Sequence, residues 1–282
     1  MIAARLNVRE IPIRAVIYVA LIVAAAVSLL PLYWLAVSAF KSQPEIFAIP
    51  PKWIPAPPRF ENFHDIWRET RIARAFFNSV VIAIGHVTLA LFLCSLAGYA
   101  FAKLGGAPGA KQLFAFVLAT MLIPRAVTLI PNFILLTRLG LVNTYWSLIL
   151  PGAAGAFGIF WMRQYIAANV HDDLLHAARI DGCGEFEIYW RIVLPMCRPA
   201  LAALGIMLLI GSWNNLMMAF LMLRTPNMQT LPVLIYLLQG EQRTPFGMLM
   251  AGGLLTALPL IVGFILFQRH FISGITSGAI KQ

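Results

Sequence analysis

The chain has 282 residues, of which 60% are hydrophobic and 11% charged, and it carries a net charge of +10. A soluble globular domain holds about 25% charged residues, so this composition points to a polytopic membrane protein. The basic excess fits phospholipid headgroups, and no run of basic residues interleaved with aromatics suggests a nucleic-acid groove.

The short N-terminus, residues 1–14, is basic through Arg5, Arg9 and Arg14. Residues 15–40 follow without a charge. At about 1.5 Å per residue they exceed the roughly 30 Å of bilayer hydrocarbon, which predicts a first, retained transmembrane helix. Residues 41–74 carry Pro44, Pro50, Pro51, Pro55, Pro57 and Pro58. Stacked prolines favour extended or turn backbone, so this is an expected extramembrane loop, closing with a short amphipathic helix from Phe60 to Arg74.

A second span is predicted over residues 75–102, where His86 is expected to be neutral and hydrogen-bonded inside the bundle. The third, residues 112–137, is broken by Pro124, Arg125 and Pro131. Arg125 at depth either lines the transport path or its gate, or sits near the interface and snorkels or pairs with a partner subunit. The fourth span is predicted over residues 140–162, with Gly152, Gly155 and Gly158 spaced for close helix packing.

Residues 172–201 form the longest polar interruption in the C-terminal half and hold five of the eleven acidic residues. Two short helices are expected there, over residues 173–180 and 184–192, joined at Gly182, which takes a positive φ at little steric cost. Ala177 and Ala178 give the first a small face that admits another surface. Phe186, Tyr189, Trp190 and Val193 fall at one helical face of the second. A fifth span over residues 199–223 carries Asn214 and Asn215, which hydrogen-bond across helices or face solute in the path. A polar loop over residues 224–245, a sixth span over residues 246–268 and a flexible tail over residues 271–282 complete the chain.

The expected fold is therefore all-α and polytopic, with six transmembrane helices. Every acidic residue falls outside the predicted spans, which argues against an ion-coupled secondary transporter. Cys94, Cys183 and Cys197 have no metal-ligand spacing and imply no disulfide framework. No metal cluster or nucleophile–base constellation suggests a membrane enzyme. The sequence contains no G-x-x-x-x-G-K-[ST], so it carries no P-loop of its own.

The polar interruption resembles the EAA loop of ABC-importer permeases, roughly E-A-A-x-x-x-G, then nine residues, then I-x-L-P. Ala177, Ala178, Gly182, Ile192, Leu194 and Pro195 fit that pattern. The run from Ala178 to Gly182 is similar to the version in carbohydrate-uptake permeases. His176 stands where the motif has a glutamate that helps hold the ATPase subunit; Asp172, Asp173 and Asp181 lie nearby and could substitute. Leu122-Ile123-Pro124 through Leu129-Ile130-Pro131 resembles the third span of this family, and Gly140 to Tyr145 the turn after it. Gly274, Gly278, Ala279 and Lys281 resemble the ending of one permease subunit of maltose-type importers.

This resemblance implies a type I ABC importer permease fold with a core domain over residues 75–270 and a cytoplasmic coupling-helix elbow over residues 172–198. It implies a place in the bacterial inner membrane with both termini cytoplasmic. Eleven Lys and Arg would then face inward and nine outward, leaving out Arg125, a margin too small to decide orientation by charge. The implied partners are a second, different permease subunit, an ABC ATPase dimer holding ATP and magnesium, and an extracytoplasmic solute-binding protein, with no cofactor on this chain. The implied ATPase-docking residues are His176, Ala177, Ala178, Asp181, Gly182, Phe186, Tyr189, Trp190, Leu194 and Pro195, with Gly274, Gly278 and Lys281 of the tail near the same interface. Arg125, Asn214 and Asn215 are the candidate path residues. A permease of the same superfamily for a glycerol phosphate, polyol, amino acid or peptide is the alternative.

Overall fold

Long runs without charge become long helices. A computed structural model describes the backbone of residues 11–124, 126–241 and 244–279, and side chains within the span from residue 14 to residue 265. Among the described residues every regular element is helical. Three helices contain stretches long and apolar enough to cross a bilayer: α1 (Ile11–Ser38), α4 (Ile72–Lys103) and α15 (Phe246–Ala279). They correspond to the first, second and sixth predicted spans. The helical backbone of α15 continues to Ala279, where a flexible tail is expected. No proline follows Pro259 within it, and an established helix propagates through isolated glycines at about 1 kcal/mol each.

Between α4 and α15 the helices are broken. The third predicted span is α5 (Ala110–Ala119), a 3₁₀ turn over Thr120–Leu122 and α6 (Leu129–Arg138), with the interruption near Pro124 that the sequence predicts. The fourth is not one helix. It is α7 (Trp146–Ile149), a turn, and α8 (Ala156–Asn169). Pro151 lacks an N–H, and Gly152 takes φ +80 in that turn. The 14 residues of α8 reach only about 21 Å, short of a bilayer core. The fifth is split at Asn214 and Asn215 into α12 (Arg198–Trp213) and α13 (Leu216–Met222). The predicted polar loop after it contains an apolar helix, α14 (Leu231–Gly240), too short to cross. By length and composition the described residues hold three spans, or up to five if each bent pair is counted as one, where six transmembrane helices are expected.

The chain folds as two compact units, one of Met1–Thr70 with Leu238–Leu255, the other of Arg71–Leu237 with Thr256–Gln282. In the first, the proline-rich segment contains α2 (Gln43–Ile46) and ends in α3 (Glu61–Glu69). The predicted amphipathic helix stops at Glu69 because the chain turns into α4 from Ile72. Lys41 is buried there, with its ammonium on the Lys52 carbonyl and 4.2 Å over the Trp34 ring. Asn62 donates to the carbonyls of Ala39 at 2.8 Å and Lys41 at 2.9 Å.

The second unit is organised on α4, which packs against α8 and α12. A methyl at Gly98 would lie 2.7 Å from Met162 Cβ and 2.9 Å from the Arg163 backbone nitrogen, so the α4 and α8 backbones nearly touch. Gly158 sits the same way against Cys94 Sγ, at 2.6 Å. Of the three glycines predicted to pack, Gly158 does so, while Gly152 and Gly155 shape the turn before α8. His86 Nδ1 lies 3.0 Å from the Ile149 carbonyl, the internal hydrogen bond expected of it.

At the start of α4 the buried Asn78 satisfies three groups. It donates to the carbonyls of Asn227 at 2.9 Å and Gln229 at 2.8 Å, and accepts from the Tyr145 hydroxyl at 2.7 Å. Nearby, Asn143 (φ 64) accepts from the backbone N–H groups of Arg224 and Thr225, each at 3.0 Å. Asn78→Leu strands those three partners of Asn78. It should lower stability by about 1–3 kcal/mol, read as a reduced unfolding midpoint in detergent. An unchanged midpoint would contradict the assignment.

Candidate docking elbow

The polar interruption folds as the local sequence dictates. Its first helix, α9 (Asp172–Ile180), opens with Asp172 and Asp173 in the first turn and has Arg179 in the last, both favourable to the helix dipole. Gly182 stops it at φ +87, with its N–H donating to the Arg179 carbonyl at 3.1 Å. The second helix is α10 (Glu185–Ile188), a π turn over Tyr189–Val193 and α11 (Leu194–Met196). It then bends by 80° into α12 at Cys197, between Pro195 and Pro199. Two short helices thus flank a left-handed glycine, and the second leaves α12 as a sharp elbow.

The predicted faces are divided differently from the expectation. Ala178, expected to admit a partner surface, is buried with Leu175 in the unit's own core, while Ala177 and His176 are exposed. Proximity to a core made by Tyr99, Met162 and Ile166 decides this, and an Ala-Ala pair cannot announce which of the two faces inward. The aromatic stripe also splits. Tyr189 and Val193 are buried in the same core, whereas Phe186 is 61% and Trp190 52% exposed. In a helix these four residues span an arc of about 100°, and only its Tyr189 and Val193 edge faces the core, which leaves the Phe186 and Trp190 edge outside. Phe186 and Trp190 stack with ring centroids 6.3 Å apart, and Ile180 across the turn is 86% exposed. Asp181 and Pro195 are exposed and Leu194 half-buried.

Polar contacts fix this elbow to α4. Tyr99 donates to Glu185 Oε2 at 2.6 Å, and Arg179 Nε donates to Glu185 Oε1 at 2.7 Å. Lys103 Nζ meets Asp172 Oδ1 at 2.7 Å. The Tyr189 hydroxyl lies 2.8 Å from Ser95 Oγ. The Arg179 hydrogen bond, then that of Tyr99, holds the Glu185 carboxyl below its usual range, and Lys103 does the same for Asp172. Both carboxylates have lowered folded values. Their contributions are therefore complete above the unfolded carboxylate range, neutral pH included, and disappear as pH falls through the folded values. His176 Nδ1 lies 3.4 Å from Arg179 Nη1. Sequence reasoning missed Ser95, Tyr99, Lys103, Arg179 and Glu185. The four-residue spacing of the first three on one helix was the available signal.

The candidate path residues are less assembled. Asn214 and Asn215 are both exposed, and Asn214 Nδ2 turns back to the Ile210 carbonyl of its own helix at 3.1 Å. That carbonyl also accepts the Asn214 backbone N–H at 3.1 Å, so one residue caps the end of α12 with both its main-chain and its side-chain amide. The cross-helix bond expected of the two amides is made instead by Trp213, whose Nε1 donates to the Thr256 carbonyl at 3.0 Å. Arg125 and Lys281 lie outside the described residues, and Gly274 and Gly278 fall in the α15 backbone beyond the described side chains.

Residues 94–277 match the family described as binding-protein-dependent transport system inner membrane component. The chain is 36% identical over 260 residues to the arabinooligosaccharides transport system permease protein AraQ of Halalkalibacterium halodurans, covering 91% of this chain and 92% of that one. It is 30% identical over 271 residues to the melibiose/raffinose/stachyose import permease protein MelC of Bacillus subtilis, covering 95% and 96% respectively. Its fold is similar to a crystal structure of a bacterial ABC transporter involved in the import of the acidic polysaccharide alginate. That match has a TM-score of 0.82 at 20% identity and covers 95% of this chain and 100% of the other.

Proposed function

The chain belongs to the binding-protein-dependent transport system inner membrane component family, and from that membership we infer that it is the membrane-spanning permease subunit of an ATP-driven importer for a sugar or oligosaccharide. One observation carries the choice of solute. Relatives matched over more than nine-tenths of this chain are named for arabinooligosaccharides and for melibiose, raffinose and stachyose.

In this reading the chain pairs with a second permease subunit to form the path, and a solute-binding protein delivers cargo from outside. Six crossings, with α8 and its preceding turn counted as one and α12 with α13 as another, leave both termini on one side, which is the cytoplasm if the elbow meets an ATPase there. Partner ATPase subunits hold ATP and magnesium. The elbow docks on them through Ile180, Phe186 and Trp190, whose exposed apolar surface beside a rigid buried seat suits insertion into a partner cleft. ATP binding then moves the elbow, and the spans follow. Its buried side, with Tyr189, Val193 and Ala178 in the core, supports this reading, because a soft link would dissipate the few kcal/mol that bias two states.

The test is uptake by cells with and without the gene, using labelled arabinotriose and raffinose with unlabelled glycerol phosphate, amino acids and peptides as competitors. Deletion should abolish accumulation of an oligosaccharide that the non-carbohydrate solutes do not compete for. Loss confined to a non-carbohydrate solute would sink the proposal.

A further inference from the structure

One face of α4 carries Ser95, Tyr99 and Lys103 at four-residue spacing, so their side chains stand in a row about 6 Å apart along the helix. Each meets a different part of the elbow. Ser95 meets Tyr189 of the π turn, Tyr99 meets Glu185 of α10, and Lys103 meets Asp172 of α9. The Ser95 hydroxyl already donates to the Leu91 carbonyl at 2.6 Å, which makes Tyr189 the donor to Ser95. Glu185 divides its two oxygens, one to Tyr99 of α4 and one to Arg179 of α9. A single carboxylate therefore joins three helices.

We propose that this row of contacts is the register of the elbow, with Glu185 as its central positioning residue, and that it transmits elbow displacement to α4. The inference rests on the importer reading above. The apolar seat alone cannot do this, because apolar contact is non-directional and permits sliding. The Tyr99 and Tyr189 rings, with centroids 5.9 Å apart, would still touch after a small slip. Hydrogen bonds of 2.6–2.8 Å with fixed directions would not survive it. A slip of one helical turn, about 5.4 Å, would leave the buried Tyr189 hydroxyl without Ser95 and break the bridge at Glu185. On the elbow side exposure rises along the row, from the buried Tyr189 to Glu185 at 44% and Asp172 at 69%, while on α4 the Lys103 side chain stays nearly buried at 7%. The inner and middle contacts therefore contribute most to the register, and the Lys103–Asp172 pair contributes less because solvent screens its carboxylate.

The experiment compares the full transport complex in proteoliposomes with complexes carrying Tyr99→Phe, Glu185→Gln, both together, or Lys103→Met. Solute moved per ATP hydrolysed is measured with tritiated arabinotriose or raffinose, whichever wild-type cells accumulate. Tyr99→Phe and Glu185→Gln should each leave ATP hydrolysis running and lower the transport-to-hydrolysis ratio about fivefold or more. The double substitution should be little worse than the worse single one, because both act on the same bond: Tyr99→Phe removes its donor, and Glu185→Gln replaces its charged acceptor by a neutral amide. Lys103→Met, at the end of the row whose carboxylate is exposed, should lower the ratio less than either single substitution. An unchanged ratio in both single variants overturns the proposal, as does a fall of uptake and hydrolysis in equal proportion, which marks a merely structural role. Wild-type complex that moves neither sugar on addition of ATP would instead overturn the importer reading and this inference with it.

Discussion

Gly182→Pro is expected to reduce solute uptake about a hundredfold or more while the chain still inserts in the membrane. Gly182 sits at φ +87, and its N–H bonds the Arg179 carbonyl. Proline is confined near φ −65° and has no N–H, so it can neither hold the turn nor make the bond, a loss of about 3 kcal/mol or more. The damage falls where α9 meets α10, which is where the Arg179–Glu185 bridge crosses. Gly182→Ala separates geometry from space. An added methyl there meets nothing within 4 Å, so only the left-handed backbone penalty of about 1–2 kcal/mol remains. Its uptake should fall between wild type and the proline variant. Wild-type uptake by Gly182→Pro would mean that the turn does not set the elbow.

Gly98→Val should destabilise the chain by more than about 3 kcal/mol, read as a lower unfolding midpoint in detergent and less protein in the membrane. The obstruction is backbone as well as side chain, since the Arg163 nitrogen is 2.9 Å from where a methyl would stand. No rotamer of the new residue relieves it, and α4 must move away from α8. Gly158→Ala is the informative contrast. Its nearest obstacle is the Cys94 sulfur at 2.6 Å, a side-chain atom that a second substitution removes. Cys94→Ala should restore part of the midpoint lost by Gly158→Ala and nothing lost by Gly98→Val. Full stability of Gly98→Val would show that α4 and α8 do not pack as closely as the backbone indicates.

The uninterrupted spans were legible because charge-free length is a sufficient signal for α1, α4 and α15. The broken ones were not. Pro124 declared its break, but the turn at Pro151-Gly152 was hidden inside an apolar run. Asn214-Asn215 read as embedded polar groups when they mark a helix end. In the elbow, the turn at Gly182 was readable because a glycine between two periodic segments has a local cause. The partition of its side chains was not, because the core that claims Tyr189 and Ala178 comes from α4 and α8. The pairing of Tyr99 with Glu185 spans 86 residues, and no local pattern names the partner. What could have been seen was half of it, the polar row Ser95, Tyr99 and Lys103 at the end of an apolar helix.

The central claim, that the elbow docks this permease on an ATPase, is tested most directly by capturing the tagged chain from native membranes under mild detergent and identifying what accompanies it. Wild-type chain should bring an ABC ATPase and a second permease subunit. The same chain carrying Phe186→Ala and Trp190→Ala together, present in equal amount, should keep the second permease and bring about tenfold less ATPase or lower still. Wild-type chain recovered without an ATPase, or the doubly substituted chain recovered with a full complement of it, would contradict the account.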